Sequence, residues 1–409
     1  MNIAVAQSGG PTCAINASLV GVFREALLTE EIDAVFGSLN GIEGMIADEL
    51  INLKTIIRTN RDMELLRQTP STVLGSCRYK LPSFEDEPEV YEKIHKTLKA
   101  HRISIFLYIG GNDSMDTVVK LSAYMKHVGS DIKIVGIPKT IDNDLPITDH
   151  TPGFGSAAKY VAATTQEIIR DSSVYSIPSV TIIEIMGRHS GWLAASTCIL
   201  RANGEEAPHL IYLPESDFSS EQFIEDVRKE MAKHKAVVVA VSEGIALNTE
   251  NSEIEEFQSG ATDVFGHKYL SGVGKYLEHT VKKEIGCKVR SVELNVMQRC
   301  SSHICSKTDI DEAERIGRQA LHAALDGNTG VMMYFRRVSD MPYAVSIEMT
   351  QATNIANLEK MFPTEWISPE QNQVTDAAIP YFLPLIQGEV DIFMDNGMPV
   401  HFQRPLQMR

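Results

Sequence analysis

Ile103-Ser104-Ile105-Phe106-Leu107-Tyr108-Ile109, followed by Gly110-Gly111 and then Asn112-Asp113-Ser114, is the passage from which the fold is read. An apolar run this short and this continuous suits a strand buried on both faces, and the glycine pair makes a tight turn into a helix, expected from about Ser114 to Met125. The next short run, Ile132 to Ile137, ends at Pro138. Upstream the same grammar appears as a strand over residues 2 to 7, a glycine turn at Gly9-Gly10 and a helix from about Asn16 to Leu28. Downstream it repeats with a helix around Ala157 to Arg170, a strand Val180 to Ile185, Gly187, and a helix through Leu193 and Ile199. Further strands are expected near Leu210 to Leu213, Ala236 to Val241, Val289 to Leu294 and Val331 to Phe335. The helices between them fall near Glu221 to Ala232, Tyr269 to Lys283 and Asp311 to Ala324. Strands alternating with helices define an α/β chain, read here as two Rossmann-like, doubly wound lobes with parallel sheets and a cleft between them. The expected division is 1–145, 146–300 and a C-terminal extension, 301–409, which packs back on both lobes because its many prolines disfavour a third domain.

The chain has 409 residues, of which 43% are hydrophobic and 22% charged, enough apolar material for two linked cores. A formal charge of -16 argues against a broad basic face, so neither nucleic acid nor a membrane surface is expected as a partner. No apolar run is long enough to span a bilayer, and no basic stretch followed by an apolar one opens the chain. The six cysteines are scattered without a CxxC pair, which fits reduced thiols and a cytoplasmic protein rather than a zinc site or a disulfide framework.

The glycine turns at Gly9-Gly10 and Gly110-Gly111 would let backbone approach a phosphate at a helix N-terminus, although such a pair is also an ordinary tight turn. More specific is Pro138-Lys139-Thr140-Ile141-Asp142-Asn143-Asp144, at the carboxyl end of a parallel strand, where open α/β sheets bind ligands. One of its carboxylates is placed to take a proton from a hydroxyl, and Lys139 to neutralise a phosphoryl group in flight; a polar turn is the structural alternative. Met186-Gly187-Arg188 stands at the end of another strand, where the guanidinium can fork onto a phosphate or simply form a surface ion pair. Gly75-Ser76-Cys77-Arg78, Ser242-Glu243-Gly244 and Arg290 with Gln298-Arg299 likewise put charge at strand ends or loops. His189 receives no role.

In their order along the chain, Ser8-Gly9-Gly10, Gly75 to Arg78, Gly110 to Asp113, Pro138 to Asp144, Met186 to Arg188, Ser242 to Gly244 and Gln298-Arg299 resemble the phosphofructokinase family. The resemblance implies a donor-binding first lobe, a sugar-phosphate-binding second lobe, Mg2+ as cofactor, and phosphoryl transfer to fructose 6-phosphate. It implies that Asp142 is the general base for the sugar 1-hydroxyl, with Thr140, Ile141 and Asp144 around it. Met186, Gly187 and Arg188 would hold the sugar phosphate, Glu243 its hydroxyls, and Arg290 and Arg299 the 6-phosphate. Gly10, Gly111, Asp113, Lys139 and Arg78 fall on the donor side, with Asn112 and Asp144 nearest the metal.

Within the family, ATP-dependent members usually carry glycine where this chain has Asp113, and the pair Asp113 and Lys139 resembles the pyrophosphate-dependent group. A carboxylate about 4 Å from an α-phosphate would repel it by on the order of 4 kcal/mol at an effective dielectric near 20. Pyrophosphate is therefore the expected donor, with an ATP-dependent enzyme and a non-catalytic sugar-phosphate-binding subunit as alternatives. Asn112 departs from the usual aspartate, so Mg2+ is expected to be held mainly by pyrophosphate oxygens and water. Ser179 stands where the family often has an arginine that reaches across to a neighbouring subunit, and Val296 where it often has a histidine that meets the 6-phosphate, which leaves sedoheptulose 7-phosphate open as acceptor. A homodimer is expected, with a homotetramer as the other closed form.

Overall fold

A computed structural model describes residues 1–247 and 272–404. The larger of its two main sheets has seven strands in the order β11 (Tyr343–Gln351), β10 (Val331–Asp340), β5 (Lys133–Pro138), β4 (Ile103–Gly110), β1 (Asn2–Gln7), β2 (Ala34–Ser38) and β3 (Leu50–Asn52). Its centre is β1 (Asn2–Gln7), β4 (Ile103–Gly110) and β5 (Lys133–Pro138), all parallel. The apolar run of β4 divides cleanly between two cores: Ile105, Leu107 and Ile109 face one layer, while Phe106 and Tyr108 face the other. With both faces dry, each such side chain contributes roughly 1.5–3 kcal/mol, which is why the run shows no polar alternation. Helix Asn112–His127 covers one face, and helix Ile15–Leu28 lies on the other against helix Lys307–Leu325.

The smaller sheet has four parallel strands ordered β7-β8-β6-β9: β6 (Ser179–Ile185), β7 (Leu210–Tyr212), β8 (Ala236–Ser242) and β9 (Lys288–Glu293). Its two faces are closed by separate clusters, one built on helix Phe154–Ser172 and the other on helices Ser220–Met231 and Val273–Glu284. The beginning of the helix expected from Tyr269 lies outside the described residues.

Three expectations are corrected. The strand expected near Val331, in the segment taken to pack back on both lobes, is a strand of the first sheet itself: β10 (Val331–Asp340) pairs in parallel with β5, Val331 opposite Val135. Neither sheet-edge addition was anticipated in an all-parallel reading, since β3 (Leu50–Asn52) runs antiparallel to β2 (Ala34–Ser38) and β11 (Tyr343–Gln351) antiparallel to β10. The edge strands β3 and β11 are only partly buried, so they lack the apolar runs by which central strands are found. The helix through Leu193 and Ile199 is mostly a tight 3-10 stretch, Ser196–Asn203, after a single α-turn Trp192–Ala195. There Ser196 Oγ and Thr197 Oγ1 bond back to the carbonyls of Leu193 and Ala194 at 2.6 and 2.7 Å, favouring the shorter i to i+3 spacing.

The chain therefore crosses between lobes more than once. Residues 307–351 complete the first lobe, and residues from Phe362 to Leu385 return to the second, where Phe362, Phe382 and Leu385 pack with Phe154 and Trp192.

Candidate active site

Strand order in the larger sheet reverses between β1 and β4, and the loops leaving these strands open the crevice where α/β folds bind ligands. Ser8 N donates to the Ile109 carbonyl at 2.9 Å, and Lys139 N to the Gly110 carbonyl at 2.9 Å, so three strand ends are stitched side by side. Ser8 and Ser114 join their hydroxyls at 2.7 Å. Gly9 has φ +74°, the left-handed region that a side chain resists, and a Cβ there would lie 3.2 Å from the Lys139 ammonium. Lys139 is buried and donates to the Gly10 carbonyl at 2.6 Å, which leaves ammonium protons for an anion in the crevice. Asp113 stands in the first turn of helix Asn112–His127, and Asn112 Oδ1 accepts from Asp113 N at 2.8 Å. A carboxylate is stabilised there by the partial positive charge of the helix end, and it takes the position that a bound phosphate would otherwise favour.

The second lobe is assembled in the same way. Glu243 N donates to the Ile185 carbonyl at 2.8 Å, Ser242 Oγ to the Gly187 carbonyl at 2.6 Å, and Gly187 N to Glu243 Oε1 at 3.4 Å. Buried Gln298 accepts from Met186 N at 3.1 Å, which anchors the turn that follows β9 and carries Arg299. Between the lobes lies a cleft of about 570 Å³.

Asp142 N donates to Thr140 Oγ1 at 3.1 Å, which fixes the turn carrying Asp142 and Asp144 into the cleft. Burial pushes the Asp142 carboxyl above its ordinary range against the pull of Arg188, Lys139 and Arg299. Burial and the neighbouring Asp142 charge raise Asp144 to about 7, and burial with the Asp142 charge raises Glu243 to about 7. Lys139 is drawn down to about 8 by burial, with Asp142 and Asp144 holding it up. Such a set gives a base that binds a proton readily and a partly desolvated cation beside it, the requirements of proton removal coupled to anion stabilisation.

Of the residues singled out from sequence, Gly10, Arg78, Gly111, Asn112, Asp113, Lys139, Thr140, Ile141, Asp142, Asp144, Met186, Arg188, Glu243 and Arg299 line this one cleft. Gly187 lies just behind it through its bond to Glu243. Arg290 is not brought in: it sits on the edge strand β9, half exposed, and bonds Asp171 at 3.2 Å. Sequence reasoning missed the wall formed by Asn357, Leu358 and Glu359. There Asn357 Nδ2 donates to Asp116 Oδ1 at 3.2 Å, and His189 Nδ1 lies 2.8 Å from Glu359 Oε1. No local motif marks these residues, because the chain reaches the cleft only after its excursion through β10 and β11.

Two α/β lobes whose strand ends converge on a carboxylate pair, a buried lysine and several arginines define a phosphotransferase. The sequence pattern of the family described as Phosphofructokinase matches residues 2–324, and the chain belongs to that family. It is 40% identical to the pyrophosphate–fructose 6-phosphate 1-phosphotransferase of Xanthomonas campestris, over 97% of this chain and 94% of that protein. The enzyme of the same name from Halomonas elongata is 38% identical over the same shares. The crystal structure of a pyrophosphate-dependent phosphofructokinase from Marinobacter aquaeolei superposes with a TM-score of 0.86 at 35% identity, covering 98% of this chain and 95% of that one.

Proposed function

We propose that this enzyme reversibly transfers a phosphoryl group from inorganic pyrophosphate to the 1-hydroxyl of fructose 6-phosphate, giving fructose 1,6-bisphosphate and phosphate. The observation that carries the choice of donor is Asp113, a carboxylate at the helix start that lines the cleft together with Lys139 and Arg78. It excludes the additional phosphate of a nucleotide by charge and volume, whereas the compact pyrophosphate is met by Lys139, Arg78 and the Gly10 and Gly111 turns. The names of the relatives support the same donor and acceptor.

Asp142 takes the proton of the 1-hydroxyl as its oxygen bonds to the transferring phosphorus; the bond from that phosphorus to the bridging oxygen breaks, and phosphate leaves with the electron pair. Arg78 and Lys139 stabilise the charge spread over the phosphoryl oxygens. Met186, Gly187 and Arg188 position the sugar, Glu243 bonds its hydroxyls, and Arg299 meets the 6-phosphate. The oxygen-donor set of Asn112 and Asp144, both lining the cleft, fits Mg2+ carried by pyrophosphate; Asn112 Oδ1 accepts from Asp113 N and keeps a second lone pair for the cation. When bound, Mg2+ would neutralise pyrophosphate charge.

The enzyme acts as a homodimer in this reading. Arg290 and the exposed apolar residues Val174, Tyr175, Ile177, Val296 and Met297 lie on or beside edge strand β9, where Lys288 also sits 4.1 Å over the Tyr175 ring. Packing of two such faces would cover this patch and carry Arg290 toward the sugar site of the other protomer. The six unpaired cysteines support a cytoplasmic setting.

The deciding measurement is initial rates with fructose 6-phosphate and Mg2+. Turnover with pyrophosphate should exceed that with ATP by at least about a hundredfold, as expected for roughly 3 kcal/mol of discrimination. Faster turnover with ATP would contradict the proposal.

A further inference from the structure

The turn bearing Asp142 and Asp144 is held from behind by residues beyond the part of the chain that matches the family, which ends at residue 324. Asn143 has φ +56° and is buried, so its side chain points inward while its two neighbours line the cleft. Inside, its amide nitrogen donates to Tyr381 Oη at 2.8 Å, and its amide oxygen lies 3.4 Å from Lys360 Nζ. The same ammonium donates to the carbonyls of Thr148 and Asp149 at 3.1 and 2.9 Å and sits 4.8 Å over the Trp192 ring. Tyr381 Oη in turn donates to the Asp149 carbonyl at 2.6 Å.

Lys360 also joins the two lobes through its backbone. Its N–H donates to the Asp144 carbonyl at 2.6 Å, and its carbonyl accepts from Ser190 Oγ and Trp192 Nε1, both at 3.2 Å. Two residues on, Phe362 N donates to Glu215 Oε1 at 2.7 Å, and that carboxylate also accepts from Gly191 N at 3.1 Å. Burial pulls Lys360 down to about 8, with Asp149 and Asp144 opposing, so the ammonium stays largely charged at neutral pH. It does not line the cleft and makes no contact that would bind substrate.

We infer that the Lys360 ammonium is a positioning group for phosphoryl transfer: with Tyr381 it clamps the turn carrying Asp142 against the Trp192 ring of the sugar side, setting the base against the acceptor hydroxyl. The inference rests on the reading of Asp142 as the base. A displacement of about 1 Å at a reacting group costs about a hundredfold in rate, and substrate binding tolerates it far better. Loss of the clamp should therefore appear in kcat and not in KM.

Steady-state kinetics of the purified full chain with pyrophosphate, fructose 6-phosphate and Mg2+ test this on Lys360→Met, Tyr381→Phe and Asp142→Asn. Lys360→Met keeps the stem on Trp192 and removes the ammonium; kcat should fall about 10–100-fold while KM for fructose 6-phosphate stays within about twofold. Tyr381→Phe should show a smaller fall in kcat of the same kind, and Asp142→Asn should lose turnover. If Lys360→Met does not fold, Tyr381→Phe decides by the same kcat and KM criterion. Wild-type kcat in a variant that merely melts at a lower temperature, or a raised KM with kcat intact, overturns the clamp. Turnover by Asp142→Asn at the wild-type rate overturns the base assignment itself, whereas an inactive Asp142→Asn beside a fully active Lys360→Met sinks the clamp alone.

Discussion

Asp113 and Asp142 carry opposite duties with the same functional group, and position separates them. Asp113 stands in the first turn of a helix, where the backbone favours a negative charge, so its carboxylate repels another anion. Asp142 is pushed upward by burial and held in check by Arg188, Lys139 and Arg299, so it can accept and release a proton. Asp113→Gly should therefore lower the KM for ATP by roughly tenfold or more while weakening the preference for pyrophosphate, as removal of about 1.4 kcal/mol or more of repulsion requires. Competition kinetics with both donors will show it; an unchanged KM for ATP would mean that Asp113 does not guard the donor pocket. Arg299, lowered by burial and by Arg78 and partly restored by Asp142 and Glu243, belongs to the same charged cleft.

At the scale of elements, the scaffold beneath the donor loop is a close pair of helices, Ile15–Leu28 against Lys307–Leu325. A Cβ at Gly317 would stand 2.1 Å from the Ser18 carbonyl oxygen, and one at Gly21 would stand 2.0 Å from that of Glu314. Gly317→Ala should thus force the helices apart and destabilise the fold by about 1–3 kcal/mol, read as a lower urea midpoint. An unchanged midpoint would mean that the helices are not packed this closely. A second device joins helix Lys307–Leu325 to the segment after the catalytic turn: buried His150 lies 2.9 Å from Asp149 Oδ2 and 2.8 Å from Glu312 Oε2, and stacks on Phe335. Burial alone would lower its pKa, but the Glu312 charge and the bonds to Asp149 and Glu312 outweigh it and raise the imidazole to about 9. A raised histidine stabilises the fold fully below its unfolded value near 6.5 and loses that contribution as pH rises through about 9, on the order of 3 kcal/mol. Wild-type stability should fall across that window, and His150→Gln should flatten the slope; parallel curves for the two proteins would refute the assignment.

For the whole molecule, the position of Arg290 makes a prediction that no single chain can satisfy. An arginine on an outer edge strand, away from the cleft of its own chain, should nevertheless lower kcat/KM for fructose 6-phosphate by at least about tenfold when changed to alanine, if two chains share their sites. Mixing Arg290→Ala with Asp142→Asn chains should restore activity, because hybrid dimers would contain one complete site; mixtures no more active than their components would refute sharing. Much of this protein was determined by local sequence. Apolar runs buried on both faces specify parallel strands, and in such a sheet every strand ends on the same side, which puts Gly10, Asp113, Lys139 and Asp142 together in one lobe and Arg188 and Glu243 together in the other; that the two groups share one site was implied by the family resemblance, not by the periodicity. Tertiary structure alone decided that β10 and β11 complete the first sheet, that residues 357–360 wall and brace the cleft, and that Arg290 faces outward. The β10–β11 hairpin apart, these depend on pairings between segments more than a hundred residues apart, whose partners are chosen by shape and by hydrogen bonds across the fold, and a periodicity read along the chain contains neither.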